Sequence, residues 1–150
     1  GPVYCPGKLR TGSNSWLGRN LTIHGNGTVE IGDNCYTAPD VTFLTGDAET
    51  VLKELREQGS YYDFVFMDAA KAQYMSFLEQ ILPMLPAGAL LITDNVLQEG
   101  SIVESKYSIT RRDRTIHMRM REYLYELKHK ECITTSIVAV GDGMALSVKR

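Results

Sequence analysis

Tyr62-Asp63-Phe64-Val65-Phe66-Met67-Asp68-Ala69-Ala70-Lys71 is the stretch that decides the fold. Residues 62–67 form an apolar run of strand length, rich in aromatic and β-branched side chains, with an acid directly behind it. The same grammar returns at Ala89-Leu90-Leu91-Ile92-Thr93, followed at once by Asp94-Asn95. Between the two runs, Tyr74 to about Leu85 reads as a helix with Phe77, Leu78, Ile81 and Leu82 on one face, ended by Pro83, Pro86 and Gly88. Strand, helix and strand in this order predict an α/β fold built on a parallel sheet. Such sheets gather their chemistry at the carboxyl ends of the strands, so Asp68, Asp94, Asn95 and Lys71 are expected to converge. Two carboxylates and an amide form an oxygen-rich set suited to a hard divalent cation, with a lysine close by.

Outward from this centre, Asp47 can cap a helix running from Gly46 to about Gln58, with Val51, Leu52 and Leu55 as its apolar stripe. On the other side lie a polar loop from Gln98 to Thr110, an amphipathic helix from about Arg112 to Lys130 and a strand over 132–140. The turn Gly141-Asp142-Gly143 leads into a last strand, Met144 to Val148. Taken singly, an aspartate after a strand is often only a helix cap, and Asp-Asn is a common turn pair. The joint spacing favours a site.

Four motifs in order carry a family likeness: Gly46-Asp47-Ala48, the stretch from Tyr62 to Lys71, Thr93-Asp94-Asn95-Val96-Leu97, and Val140-Gly141-Asp142-Gly143-Met144-Ala145-Leu146-Ser147. Over about a hundred residues the chain resembles the carboxyl-terminal portion of the cation-dependent class I O-methyltransferases. These include catechol and caffeoyl-coenzyme A enzymes and bacterial members that modify hydroxylated tRNA uridine. The resemblance implies a partial Rossmann-like sheet with flanking helices, a Mg²⁺-like ion held by Asp68, Asp94 and Asn95, and Lys71 as general base. It implies S-adenosylmethionine as methyl donor, with Asp47, Ala48 and Glu49 on the adenine side and Asp68 close to the donor. The physics is coherent with those roles. A hydroxyl bound to the ion becomes more acidic, a nearby lysine can take its proton, and the oxyanion attacks the sulfonium methyl in line.

The same family binds its methyl donor largely through a glycine-rich turn after the first strand and an acid ending the second, both upstream of the motif matching Gly46-Asp47-Ala48. Residues 1–45 hold something else. They lack helical periodicity, and Leu17, Ile23, Ile31, Thr37 and Phe43 recur with a step near six, given a two-residue insertion at Gly25-Asn26-Gly27. Turn residues fill the intervals. Ile31 to Thr42 resembles the hexapeptide repeat of left-handed β-helix acyltransferases, in which each coil stacks an apolar corner on the next. Only about two coils are present, and His24 has no match to the catalytic histidine of that family, so it reads as a surface residue. The expected organisation is a hexapeptide-like β segment over 1–45 and a methyltransferase-like α/β domain over 46–150, a chimera joined at Phe43-Leu44-Thr45-Gly46.

Composition sets the outer bounds. The formal charge of −2 and 43% hydrophobic content describe an ordinary globular chain. No apolar run approaches the ~20 residues of a membrane span and no signal sequence opens the chain, which predicts a cytoplasmic protein without membrane partners. Cys5, Cys35 and Cys132 form no CxxC pair, which argues against disulfides and zinc. Residues 46–110 carry 4 basic against 10 acidic groups and residues 111–150 carry 9 against 5. Arg111, Arg112, Arg114, His117, Arg119 and Arg121 crowd together before Tyr123 and Tyr125, so RNA phosphates are candidate partners of Arg111, Arg112, Arg114 and Arg119. A solvated face, with Glu122 and Glu126 pairing locally, is the alternative.

The leading expectation is therefore a Mg²⁺- and S-adenosylmethionine-dependent O-methyltransferase acting on a catechol-like phenol or a hydroxylated tRNA nucleoside, its activity impaired by the missing glycine-rich motif. A non-catalytic chimera and an acyltransferase fragment are the alternatives. Half a parent sheet leaves an open edge, which either the amino-terminal segment or a second copy must cover in a homodimer.

Overall fold

The computed structural model describes residues 5–97 and 114–150. The chain divides into two compact units, Gly1–Val51 and Leu52–Arg150.

The first unit is built from short parallel strands: β1 (Lys8–Thr11), β2 (Thr22–His24), β3 (Thr28–Ile31) and β4 (Thr42–Leu44). β1 pairs with β3 and β2 with β4, and every partner lies twenty residues along, from Lys8↔Thr28 to His24↔Leu44. The bridge Trp16↔Tyr36 keeps the same offset on a third side. The unit is thus two stacked coils with a twenty-residue period, the sum of two six-residue steps and the eight-residue step at Gly25-Asn26-Gly27. Side chains repeat the offset as ladders. Asn14 Nδ2 donates to Asn34 Oδ1 at 2.7 Å, Asn20 Nδ2 to Asp40 Oδ1 at 2.9 Å, and Arg10 pairs with Glu30 at 2.7 Å. Trp16 and Tyr36 stack at 4.8 Å with planes 6° apart. Asn14, Asn34, Asn20 and Asp40 take the left-handed conformation at the corners, which their short polar side chains tolerate. Leu21 and Ile23 are fully buried.

Helix α1 (Ala48–Glu57) starts twenty residues after β3 starts. Asp47 caps it as expected, its Oδ1 accepting from the Thr50 amide at 3.0 Å. The division into units falls within this helix, between Val51 and Leu52, a few residues beyond the expected boundary at 45/46.

The second unit is a four-stranded mixed sheet of β5 (Phe64–Met67), β6 (Leu90–Thr93), β7 (Ile133–Val138) and β8 (Met144–Lys149) in the order β5-β6-β8-β7. β5 and β6 run parallel and β8 is antiparallel to both β6 and β7. Helices α2 (Tyr74–Ile81) and α3 (Arg114–His129) supply the core. Tyr74, Phe77, Leu78 and Ile81 meet Met120, Tyr123 and Leu127 in one cluster with Met67, Leu91, Ile133 and Ala145. Each buried leucine here contributes about 2 kcal/mol. Alternation sends Phe64, Phe66 and Val148 to the other face, where they are exposed.

Several boundaries tighten. α2 closes at Ile81 and a 3₁₀ turn, Leu82–Met84, comes next, because Pro83 cannot continue the α-helical bonding. The strand expected from Tyr62 begins at Phe64, since the Tyr62 amide bonds the Met84 carbonyl instead of a strand neighbour. The strand expected over 132–140 spans Ile133–Val138. Among the described residues the strands of the first unit pair with one another and β5 has β6 as its single strand partner. The expected loop from Gln98 to Thr110 lies outside the described residues, and no described helix is long and apolar enough to cross a membrane.

Candidate functional site

Met67 and Thr93 are register partners at the ends of β5 and β6, and the ladder runs one residue further, the Asp94 amide donating to the Met67 carbonyl at 3.0 Å. Asp68 and Asp94 therefore leave the sheet side by side, on neighbouring strands about 4.8 Å apart. The Tyr74 hydroxyl, from α2, donates to the Asp94 carbonyl at 3.1 Å. Burial pushes the Tyr74 phenol above its usual range, and the charges of both Asp68 and Asp94 push it further, against a hydrogen bond with the Ala69 backbone. Both carboxylates thus act on one hydroxyl.

Asn95 turns the chain in the left-handed region at φ 54°. Its amide donates to Asp94 Oδ1 at 2.8 Å, leaving Oδ2 of that carboxylate for another partner. Its side-chain Nδ2 faces Asp142 Oδ2 at 3.4 Å. With the NH₂ turned to Asp142, the carbonyl oxygen of Asn95 is available on the other side. The turn between β7 and β8 also grips the two residues after Asn95. The Val96 amide donates to the Gly143 carbonyl at 3.0 Å and the Leu97 amide to the Asp142 carbonyl at 2.8 Å. Asp142 is a site residue that sequence alone places only in a turn. Its contact with Asn95 spans 47 residues, and no local pattern announces it.

Lys71 opens a 3₁₀ turn, Lys71–Gln73, three residues after Asp68, and is half-buried. The second unit therefore brings Asp68, Lys71, Asp94 and Asn95 to one end of the sheet. Asp47, Ala48 and Glu49 belong to the first unit, all exposed, and both Thr50 N and Thr50 Oγ1 occupy Asp47 Oδ1. Among the described residues no group of three or more His, Cys, Asp or Glu is arranged as a metal cage. A site here would consist of two carboxylates, an amide oxygen and water, which is the kind of set Mg²⁺ accepts.

Of the arginine cluster, Arg111 and Arg112 lie outside the described residues. Arg114 and Arg119 are exposed on α3, and Arg119 Nη1 reaches the Ala72 carbonyl at 3.5 Å, tying α3 to the Lys71 turn. Glu126 lies 3.7 Å from Lys130, one turn further on.

The profile of the O-methyltransferase family matches residues 29–150. The chain belongs to the O-methyltransferase family. The match begins ahead of Phe43-Leu44-Thr45-Gly46, the expected junction, and takes in most of the second coil. Caffeoyl-CoA O-methyltransferase 3 of Nicotiana tabacum is 31% identical over 117 residues, covering 73% of this chain and 47% of its own length. Tapetum-specific methyltransferase 1 of Arabidopsis thaliana is 27% identical over 107 residues, covering 71% and 46%. The chain spans about half the length of the curated relatives it matches. Among solved structures, a putative caffeoyl-CoA O-methyltransferase from Staphylococcus aureus superposes with a TM-score of 0.63 at 22% identity, covering 95% of this chain and 76% of that one. The O-methyltransferase from Bacillus cereus, solved in complex with SAH, gives 0.62 at 16% identity over 95% and 74%. These likenesses establish the mixed α/β methyltransferase fold.

Proposed function

We propose that this chain carries the cation- and acceptor-binding half of an O-methyltransferase site, dependent on a divalent cation and on S-adenosylmethionine. The observation that supports the reading is that Asp68 and Asp94 follow adjacent strand ends, with the Tyr74 hydroxyl on the Asp94 carbonyl and the Asn95 amide on the Asp94 carboxylate. The donor set fits a hard cation. Asp68, Asp94 Oδ2 and the Asn95 carbonyl oxygen would hold it, and Asp142 orients the amide by taking its NH₂. When bound, such a cation supplies acidification of an acceptor hydroxyl and orients two adjacent oxygens. Lys71, three residues from Asp68, receives the hydroxyl proton at Nζ. Acceptors with vicinal oxygens of the catechol type suit this arrangement, in keeping with the caffeoyl-CoA enzymes among the relatives.

The methyl donor fits less well. Solved neighbours are described in complex with SAH or SAM. In the described residues before Gly46, however, parallel coils stand where a strand, glycine-rich turn and helix would be needed, and Asp47 is committed to its cap.

Calorimetric titration with Mn²⁺ and then with SAH tests both halves. The expected outcome is cation binding that Asp68→Ala and Asp94→Ala each weaken at least tenfold, about 1.4 kcal/mol. Absence of Mn²⁺ binding would sink the cation reading. Cation binding without any response to SAH would favour a folded, non-catalytic module, a second reading that rests on the coils of the first unit. Among the described residues β5 has a single strand partner, and we assign its other edge to a second copy of the chain, a homodimer joined strand to strand.

A further inference from the structure

We infer that Tyr74 and Tyr123 are positioning residues of the cation site: two buried phenols that fix the end of β6 so that Asp94 and Asn95 meet a ligand in one geometry. The inference rests on the cation reading above and adds residues to it that touch no ligand.

Both rings are 1% exposed, and they pack edge to face, centroids 5.4 Å apart and planes at 68°. They come from different helices, Tyr74 from α2 and Tyr123 from α3. Their hydroxyls nevertheless end on consecutive residues of one strand. Tyr123 Oη lies 2.6 Å from Thr93 Oγ1, and Tyr74 Oη donates to the Asp94 carbonyl at 3.1 Å. Phenylalanine would fill the same volume. A buried phenol costs free energy unless its hydroxyl is bonded, so the two hydroxyls mark where the core spends polarity, and both spend it on this strand end.

That is also where the sheet stops supplying bonds. The last ladder donor is the Asp94 amide, on the Met67 carbonyl, and the Asp94 carbonyl beyond it is met by Tyr74. The next residue, Asn95, must hold a left-handed φ of 54°, and its amide must stay on Asp94 Oδ1. A carbonyl held on one side and an amide held on the other fix the plane in which the Asp94 carboxylate turns. Thr93, fully buried and bonded to Tyr123, anchors the residue before it.

Tyr74→Phe and Tyr123→Phe test the inference, with Tyr125→Phe, an exposed tyrosine of α3, as control. Two readouts separate this claim from the cation reading. Amide hydrogen exchange at Asn95 in cation-free protein should quicken about fivefold in Y74F while core amides of Leu78 and Leu91 keep their rates, a local signature that a general loss of stability would not give. Mn²⁺ affinity should fall about fivefold in Y74F and stay unchanged in Y125F. Unaltered Asn95 exchange together with unaltered Mn²⁺ affinity in Y74F would overturn the inference and leave the cation site standing. A wild-type chain that binds no Mn²⁺ would overturn both the cation reading and the inference. Should Y74F fail to fold, Y123F and Thr93→Val interrogate the same strand end.

Discussion

Asn95, Asp142 and the two buried tyrosines show how single side chains order a strand end. The tyrosines also impose a pH limit. Burial raises the phenols of Tyr74 and Tyr123 above the ordinary 10.0, the Thr93 bond only partly offsetting it in Tyr123. Above that pH the unfolded chain loses phenolic protons that the folded chain retains, so it binds fewer protons and stability falls. Below it these groups contribute no slope. Denaturation midpoints should therefore hold steady to about pH 9 and decline from about pH 10 upward, less steeply in Y123F. A slope equal to the wild-type's in that variant would show that other groups set the limit. Gly143 is a second single-residue device. Its φ is +79°, and a Cβ there would collide with Leu97, beside the amides that hold the loop after Asn95. Gly143→Ala should lower stability by about 2 kcal/mol or more in chemical denaturation and displace the Asn95 signals in NMR. The positions of Asp68, Asp94 and Asn95 were legible because each lies directly behind an apolar run. The roles of Asp142, Tyr74 and Tyr123 were not, because they depend on packing between distant segments.

The strands and helices were legible where local chemistry decides them. Asp47 caps α1, and Pro83 limits α2 one turn earlier than the apolar stripe alone suggests. The coils were harder. Apolar residues near every sixth position marked the short strands, but pairing joins residues twenty apart, and that period is visible only when Asn14 is set against Asn34 and Trp16 against Tyr36. Glycine makes the close stacking feasible. A Cβ on Gly18 would strike the Ala38 carbonyl. Gly18→Ala should pry the two coils apart, with loss of amide protection over β2 and β4 and little change in β5, β6 and β8. Equal loss in both units would mean that the coils do not fold as a unit of their own.

At the scale of the whole second unit, the outer edge of β5 decides association. β5 offers four uncharged residues and half-exposed rings, Phe64 at 55% and Phe66 at 51%. Antiparallel pairing of two copies centred on Val65 would set each Phe64 against the other copy's Phe66 and keep Asp63 and Asp68 away from their counterparts. Such a contact falls short of the ~800 Å² per partner of a standard interface, so the dimer should be weak and dependent on concentration. Sedimentation of Phe64→Lys, expected to remain monomeric at concentrations where the wild-type chain associates, checks this. A wild-type chain that stays monomeric would refute it.

The start of α1 twenty residues after the start of β3 has a consequence for how this chain tolerates changes in length. The helix begins where a third coil's first strand would have begun, so the stack is a counter that advances in whole turns. Adding or deleting one full period of twenty residues leaves each surviving side chain facing the side it faces now and delivers the chain to α1 in the same phase. An insertion of one residue within a strand reverses inside and outside for everything up to the next corner. Viable length variants of the first unit should therefore cluster at multiples of the period.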